Sequence, residues 1–217
     1  MSRIFSAALT ALLFVLLGVS PAGASGLKTH LWVAQQIIDD LGPDCAVELA
    51  DREYRIPDET CRAILDNPGS FLAGALGPDA YPDIITGQVT THPGIEGDWQ
   101  TSDWLRHLYR SASSPSEVAF AAGYLIHAAT DAFAHTYVNG YAGDVFELGD
   151  ERAVELRHFV LEKYIDAHLP PGEPDPNALD APSEFLARWG KLFHVSSARP
   201  NRDDGTVSIR YTCRTLG

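Results

Sequence analysis

Basic residues are scarce in this chain. It holds 16 lysines and arginines against 29 aspartates and glutamates, a formal net charge of −13 over 217 residues. A field of that sign repels polyanions, so no nucleic-acid partner is expected and anionic membrane surfaces are disfavoured. A phosphate-bearing substrate at one local site is still allowed, because bound divalent ions would reverse the sign there. Cysteine is scarce too, with only Cys45, Cys61 and Cys213 present, and their spacing matches no zinc-finger pattern. No internal repeat or low-complexity tract is found. The apolar run at the start, Ala7 to Val19, is too short for a comfortable membrane span.

That run has the layout of an export signal. Arg3 supplies the positive start, and Ala22-Gly23-Ala24 a small-residue cleavage site. Residues 1–24 are therefore expected to be a signal peptide, and the mature chain to start at Ser25 in a secreted or periplasmic setting. The roughly 190 residues that remain are enough for one domain with a sizeable core. In an exported chain, Cys45 and Cys61 are expected to form a disulfide around a small polar loop. Cys213 is then the odd one, and three alternatives stay open: pairing between chains, a free thiol, or a longer natural chain.

The remainder is organised as helices separated by Pro/Gly-rich loops. Thr29 is expected to cap a first helix reaching Leu41, where Gly42-Pro43 ends it. Shorter helices are predicted over Pro57–Asp66, Pro68–Leu76 and Thr101–Ser111, with loop between Gly77 and Gly97. Ser114-Pro115 with Glu117 opens a long central helix. Amphipathic helices are predicted over 151–168 and over Ser183–Phe193. The segment Thr206–Tyr211 alternates like a strand, and a single short strand cannot hold itself. The fold class is thus all-α: one helical domain over 25–193, and a short irregular or β C-terminal tail over 194–217.

The central helix carries the chemistry. Within Gly123–Gly140 stand His127, Asp131 and His135, four residues apart, in an otherwise mostly apolar run. At ~100° and ~1.5 Å per residue they stack along one stripe, rising ~6 Å per step. A helix apolar nearly all round is expected to be buried. Two imidazoles and a carboxylate inside it cost several kcal/mol unless each finds a partner, and metal ions suit this set best. The next helix repeats the spacing with His158 and Glu162, a pair able to grip one ion. Read from chemistry alone, Asp79 is first an ordinary turn aspartate, His92 has the same standing, and His30 is a capping-turn or surface histidine. His107, His168 and His194 read as surface or satisfied histidines. Tyr81, Trp99 and Trp104 are aromatic candidates for receiving a substrate group, with core packing as the alternative for at least two of them.

Taken in order, Thr29-His30, Gly77-Pro78-Asp79, a lone His92, His127-x3-Asp131-x3-His135 and His158-x3-Glu162 resemble the zinc-dependent phospholipase C family. The superfamily also holds the S1/P1 nucleases, and its domain is all-helical with a three-zinc cluster. The likeness runs from Thr29 to about Asp166. The spacing around Asp131 is closest to the domain of glycosylphosphatidylinositol-specific phospholipase D; secreted bacterial phospholipases C place two further residues before the third ligand. The resemblance implies one zinc on Asp79, His92, His127 and Asp131, and a second on His135, His158 and Glu162. A third would take His30, the shared Asp131 and the chain's amino terminus. It also implies that Asp79 orients or deprotonates the attacking water. Family members with three zincs begin with Trp, whereas the expected start here is Ser25. The expected function is an exported phosphodiesterase, phospholipase C-like, using two or three zinc ions. Its substrate would be phospholipid, with transient contact at a membrane surface and the chain acting as a monomer. The alternatives are an S1/P1-like nuclease, and a metal-stabilised binding module without activity. A di-iron carboxylate protein fits less well, because those sites use Glu and Glu-x2-His spacing.

Overall fold

The computed structural model describes residues 26–81, 87, 100–144, 149–172, 174–189, 193–200 and 207–213, with backbone only for Leu49 and for the last two ranges. The expected leader, His92 and Trp99 lie outside the described residues. Seven α-helices carry the described chain: α1 Leu27–Asp40, α2 Asp58–Asp66, α3 Pro68–Ala75, α4 Thr101–Ser111, α5 Pro115–Ala142, α6 Glu151–His168 and α7 Ser183–Trp189. Two antiparallel hairpins accompany them, β1 Ala46–Leu49 with β2 Arg52–Arg55, and β3 Phe193–Pro200 with β4 Val207–Cys213. None of these helices is long and apolar enough to cross a membrane.

The axis of the domain is α5, against which α1, α2, α3, α4 and α6 all rest. Its start follows from sequence: the Ser114 side chain accepts a hydrogen bond from the Glu117 amide, and Pro115 occupies the first turn, where its missing N–H costs nothing. Gly143, at φ +91°, closes the other end in the left-handed region. Glu117 also ties α5 to α7. Its carboxylate accepts from the Ser113 amide at 2.7 Å, the Ser113 hydroxyl at 2.9 Å and Arg188 Nη2 at 2.6 Å.

Two apolar clusters meet on the amino half of α5. One gathers Leu31, Ala34, Ile64, Phe71, Leu72 and Ala122; the other is aromatic, with Trp104, Phe120, Tyr124, Phe185 and Trp189. Trp104 is thus core. Tyr81 touches both clusters and sets its ring edge-on to Phe120 at 5.3 Å. The disulfide Cys45–Cys61 is formed and pins the first hairpin to α2.

Four expectations change. First, α5 is not buried all round: Phe133 and Tyr141 are 69 % and 78 % exposed, although Asp131, Val138 and Ala142 on the same half of the helix are buried. The helix outruns the short α2 and α3 that cover it, leaving its far outer face to solvent. Second, the polar loop inside the disulfide is a hairpin, turning at Ala50-Asp51 with φ of 49° and 62°. Third, α7 is described over Ser183–Trp189, and Phe193, its expected end, instead opens the strand that partners β4. Fourth, α1 starts at Leu27, which puts Thr29 inside its first turn instead of at its cap.

Candidate metal centre

The close approach of α3 to α5 builds the inner part of the site. A side chain on Gly123 would meet the Phe71 carbonyl oxygen and lie 2.8 Å from the Ala75 amide nitrogen, so only glycine lets the two backbones touch here. That contact brings the Ala75 carbonyl to His127, whose Nδ1 lies 3.0 Å from the oxygen. A carbonyl only accepts, so Nδ1 carries the hydrogen and the neutral ring turns its Nε2 lone pair inward. Beyond α3, Gly77 takes φ +48° to open the Gly-Pro-Asp turn. A Cβ there would sit 2.6 Å from His127 Cγ, so this glycine serves both the turn and the ring.

Four predicted residues converge at this point. His30, from α1, is wholly buried and stacks on His127 with ring centroids 4.0 Å apart. Its Nε2 lies 3.2 Å from Asp131 Oδ1 and 4.0 Å from Asp79 Oδ2. Asp131 Oδ2 in turn lies 3.1 Å from His127 Nε2. One carboxylate therefore reaches both imidazoles. His30, read from chemistry alone as a capping-turn or surface histidine, is at the centre of the cluster, and Asp79 is buried beside it.

Three more converge one turn further along. His135 Nε2 and His158 Nε2 stand 3.4 Å and 2.7 Å from the same oxygen, Glu162 Oε1. This outer cluster is more open, with both imidazoles 26 % exposed and Glu162 buried. Glu162 joins α6 to α5, because His135 belongs to one helix and His158 to the other.

The donor sets fit a divalent ion. Ligand atoms of His30, Asp79 and His127 all lie within 4.8 Å of one another, as do those of His135, His158 and Glu162. Nitrogen and carboxylate oxygen are zinc ligands, and tetrahedral ligation at ~2.0–2.1 Å puts them ~3.3 Å apart. Neither ring nitrogen of His30 makes a hydrogen bond among the described residues. Burial holds the His127 pKa below the imidazole range; the hydrogen bond to Asp131 opposes this, and the neighbouring His30 reinforces it. With Nδ1 donating to the Ala75 carbonyl, the Nε2 of a neutral His127 lies 3.1 Å from Asp131 Oδ2, a pairing of donor atoms that a divalent cation fits. The Ala75 carbonyl fixes the tautomer of His127, the role an outer partner plays for histidines that ligate metal.

A sequence model described as zinc-dependent phospholipase C matches residues 29–187. The chain belongs to that family. No curated protein and no solved structure matches it. Membership in the zinc-dependent phospholipase C family agrees with the all-helical domain and with the two His/carboxylate groups, one buried and one partly exposed. The Ala75 carbonyl escaped sequence reading because a main-chain acceptor leaves no side-chain signal. Of the remaining histidines, His107 lies against Trp104 and His168 against Tyr164.

Proposed function

We propose that this chain is an exported zinc-dependent phosphodiesterase that hydrolyses phospholipid at the paired clusters on α5. The observation that carries this reading is the gathering of a buried His/Asp set and a partly exposed His/Glu set around one stripe of α5, His127, Asp131 and His135. Bound there, zinc supplies a hydroxide source near neutral pH and neutralises charge on phosphoryl oxygens. The inner group, His30, Asp79, His127 and Asp131, together with His92, holds ions away from solvent. The outer group, His135, His158 and Glu162, faces the side from which a phosphodiester arrives. Asp79, fixed by the Gly77-Pro78 turn, orients the attacking water and takes its proton.

The substrate class follows from the family, and the charge narrows it. A chain of net charge −13 favours zwitterionic head groups over anionic ones, and transient contact with such a surface over lasting attachment. The Cys45–Cys61 disulfide supports an oxidising compartment, secreted or periplasmic. The chain acts as a monomer in this reading.

The test uses the purified full chain, with zinc measured per chain and hydrolysis of phosphatidylcholine compared with that of single-stranded DNA. Lipid hydrolysis that a chelator abolishes and zinc restores is expected. DNA cleavage without lipid turnover would replace this reading with a nuclease. Stoichiometric zinc without any phosphoester cleavage would replace it with a binding module.

A further inference from the structure

The stripe on α6 does not end at Glu162. Four residues on stands Asp166, one more turn along the same face as His158 and Glu162. Its Oδ1 accepts two hydrogen bonds from α1, from the Thr29 amide at 3.0 Å and the Thr29 hydroxyl at 2.8 Å. The next residue is His30, wholly buried in the inner cluster. The first turn of α1 has neither a side-chain cap nor an acidic residue of its own, since Gly26 occupies the cap position. Any side chain on Gly26 would fall on the Asp166 carboxylate, so glycine there makes room for a cap delivered from another helix. The nearest cation, Lys163 Nζ, is 4.0 Å from Oδ2 and half exposed, so it contributes little to this arrangement.

We propose that Asp166 is a positioning residue of the metal centre: by capping α1 it sets the depth and orientation of His30. One face of α6 then grips the outer cluster through His158 and Glu162 and locates the inner cluster through Asp166. The spacing between the two clusters is thereby fixed by a single helix. This rests on the reading that the inner cluster binds zinc.

The test compares wild type with Asp166→Ala, Asp166→Asn and Thr29→Val in the full chain. Zinc affinity is read by competition with a chromogenic chelator, and ligand geometry by the visible absorption of the cobalt-loaded protein. Asp166→Ala is expected to weaken one class of site about 10- to 100-fold and change its cobalt bands, leaving the outer class unchanged. Asp166→Asn keeps an oxygen for Thr29 and is expected to restore most of the affinity. Thr29→Val loses the hydroxyl donor alone and should fall between; it also covers the case in which Asp166→Ala fails to fold. Paired with His30→Ala, Asp166→Ala should add almost nothing further. Unchanged zinc affinity in Asp166→Ala, or full additivity with His30→Ala, overturns the proposal while wild-type zinc binding stands. A wild type that binds no zinc overturns the metal reading itself, and this proposal with it.

Discussion

The rings of His30 and His127 stack 16° from parallel, and the carboxylate of Asp131 reaches an Nε2 atom on each. Two buried imidazoles face to face cannot both be protonated without strong repulsion. A carboxylate that reaches both rings is an arrangement that a divalent cation fits. Asp131→Asn removes the negative charge and keeps the shape. Zinc-free protein should tolerate it nearly unchanged, whereas the stabilisation that zinc confers should shrink by more than half. In wild type that stabilisation is about 3–4 kcal/mol at free zinc several hundredfold above Kd. Melting curves with zinc and with chelator separate the two effects.

Close backbone approach makes glycine positions diagnostic. Gly77→Ala combines a left-handed φ with a Cβ placed 2.6 Å from His127 Cγ. A loss of about 1–3 kcal/mol is expected, accompanied by weaker zinc binding because the ring must shift. Gly123→Ala meets backbone atoms of α3, which cannot step aside as a flexible side chain can. It should cost as much or more and separate α3 from α5. Denaturant titration together with zinc content checks both.

The His/Asp stripe on α5 was readable because side chains four apart on a helix share a face whatever the tertiary structure. That α6 lies alongside α5 was legible as well, because helices joined by a moderate loop usually pack as neighbours; the meeting of His135 and His158 at one glutamate oxygen was not. His30 misled for a physical reason: Thr29 has the chemistry of a cap, yet its hydroxyl and amide are spent on Asp166, and the cap position lies three residues earlier, at Gly26. The β1–β2 hairpin was invisible because Ala50-Asp51 takes positive φ at both positions without the Asn-Gly or Asp-Gly pair that usually announces such a turn. The tail strand was legible by alternation; its partner β3 begins where the helical pattern of α7 was expected to continue.

Acidity should act on the two clusters with opposite sign in zinc-free protein. The hydrogen bond to Glu162 holds His135 above the imidazole range against the opposing effect of burial. Its contribution is fully present below the unfolded pKa of about 6.5 and is lost as pH rises through the raised folded value. Burial holds His127 below that range, so its contribution is present above about 6.5 and is lost as pH falls. Calorimetry in chelator should show His135→Ala flattening the alkaline side of the stability profile and His127→Ala the acid side. With zinc bound, the lone pairs are occupied and the alkaline loss at the outer cluster should vanish.

The disulfide separates stability from chemistry. Cys45 and Cys61 join the first hairpin to α2, and Cys61 is buried in the same apolar cluster as Ile64 and Phe71. Closing a loop of 16 residues restricts the unfolded chain, and losing that restriction costs about 2–4 kcal/mol. Neither cluster takes a residue from the segment between the two cysteines. The variant Cys45→Ala with Cys61→Ala should therefore unfold at lower denaturant while binding as much zinc as the wild type at 25 °C. A matching fall in zinc content would mean that the hairpin also holds α1, and with it His30, in place. Zinc per chain, measured on protein that is still folded, decides between these outcomes.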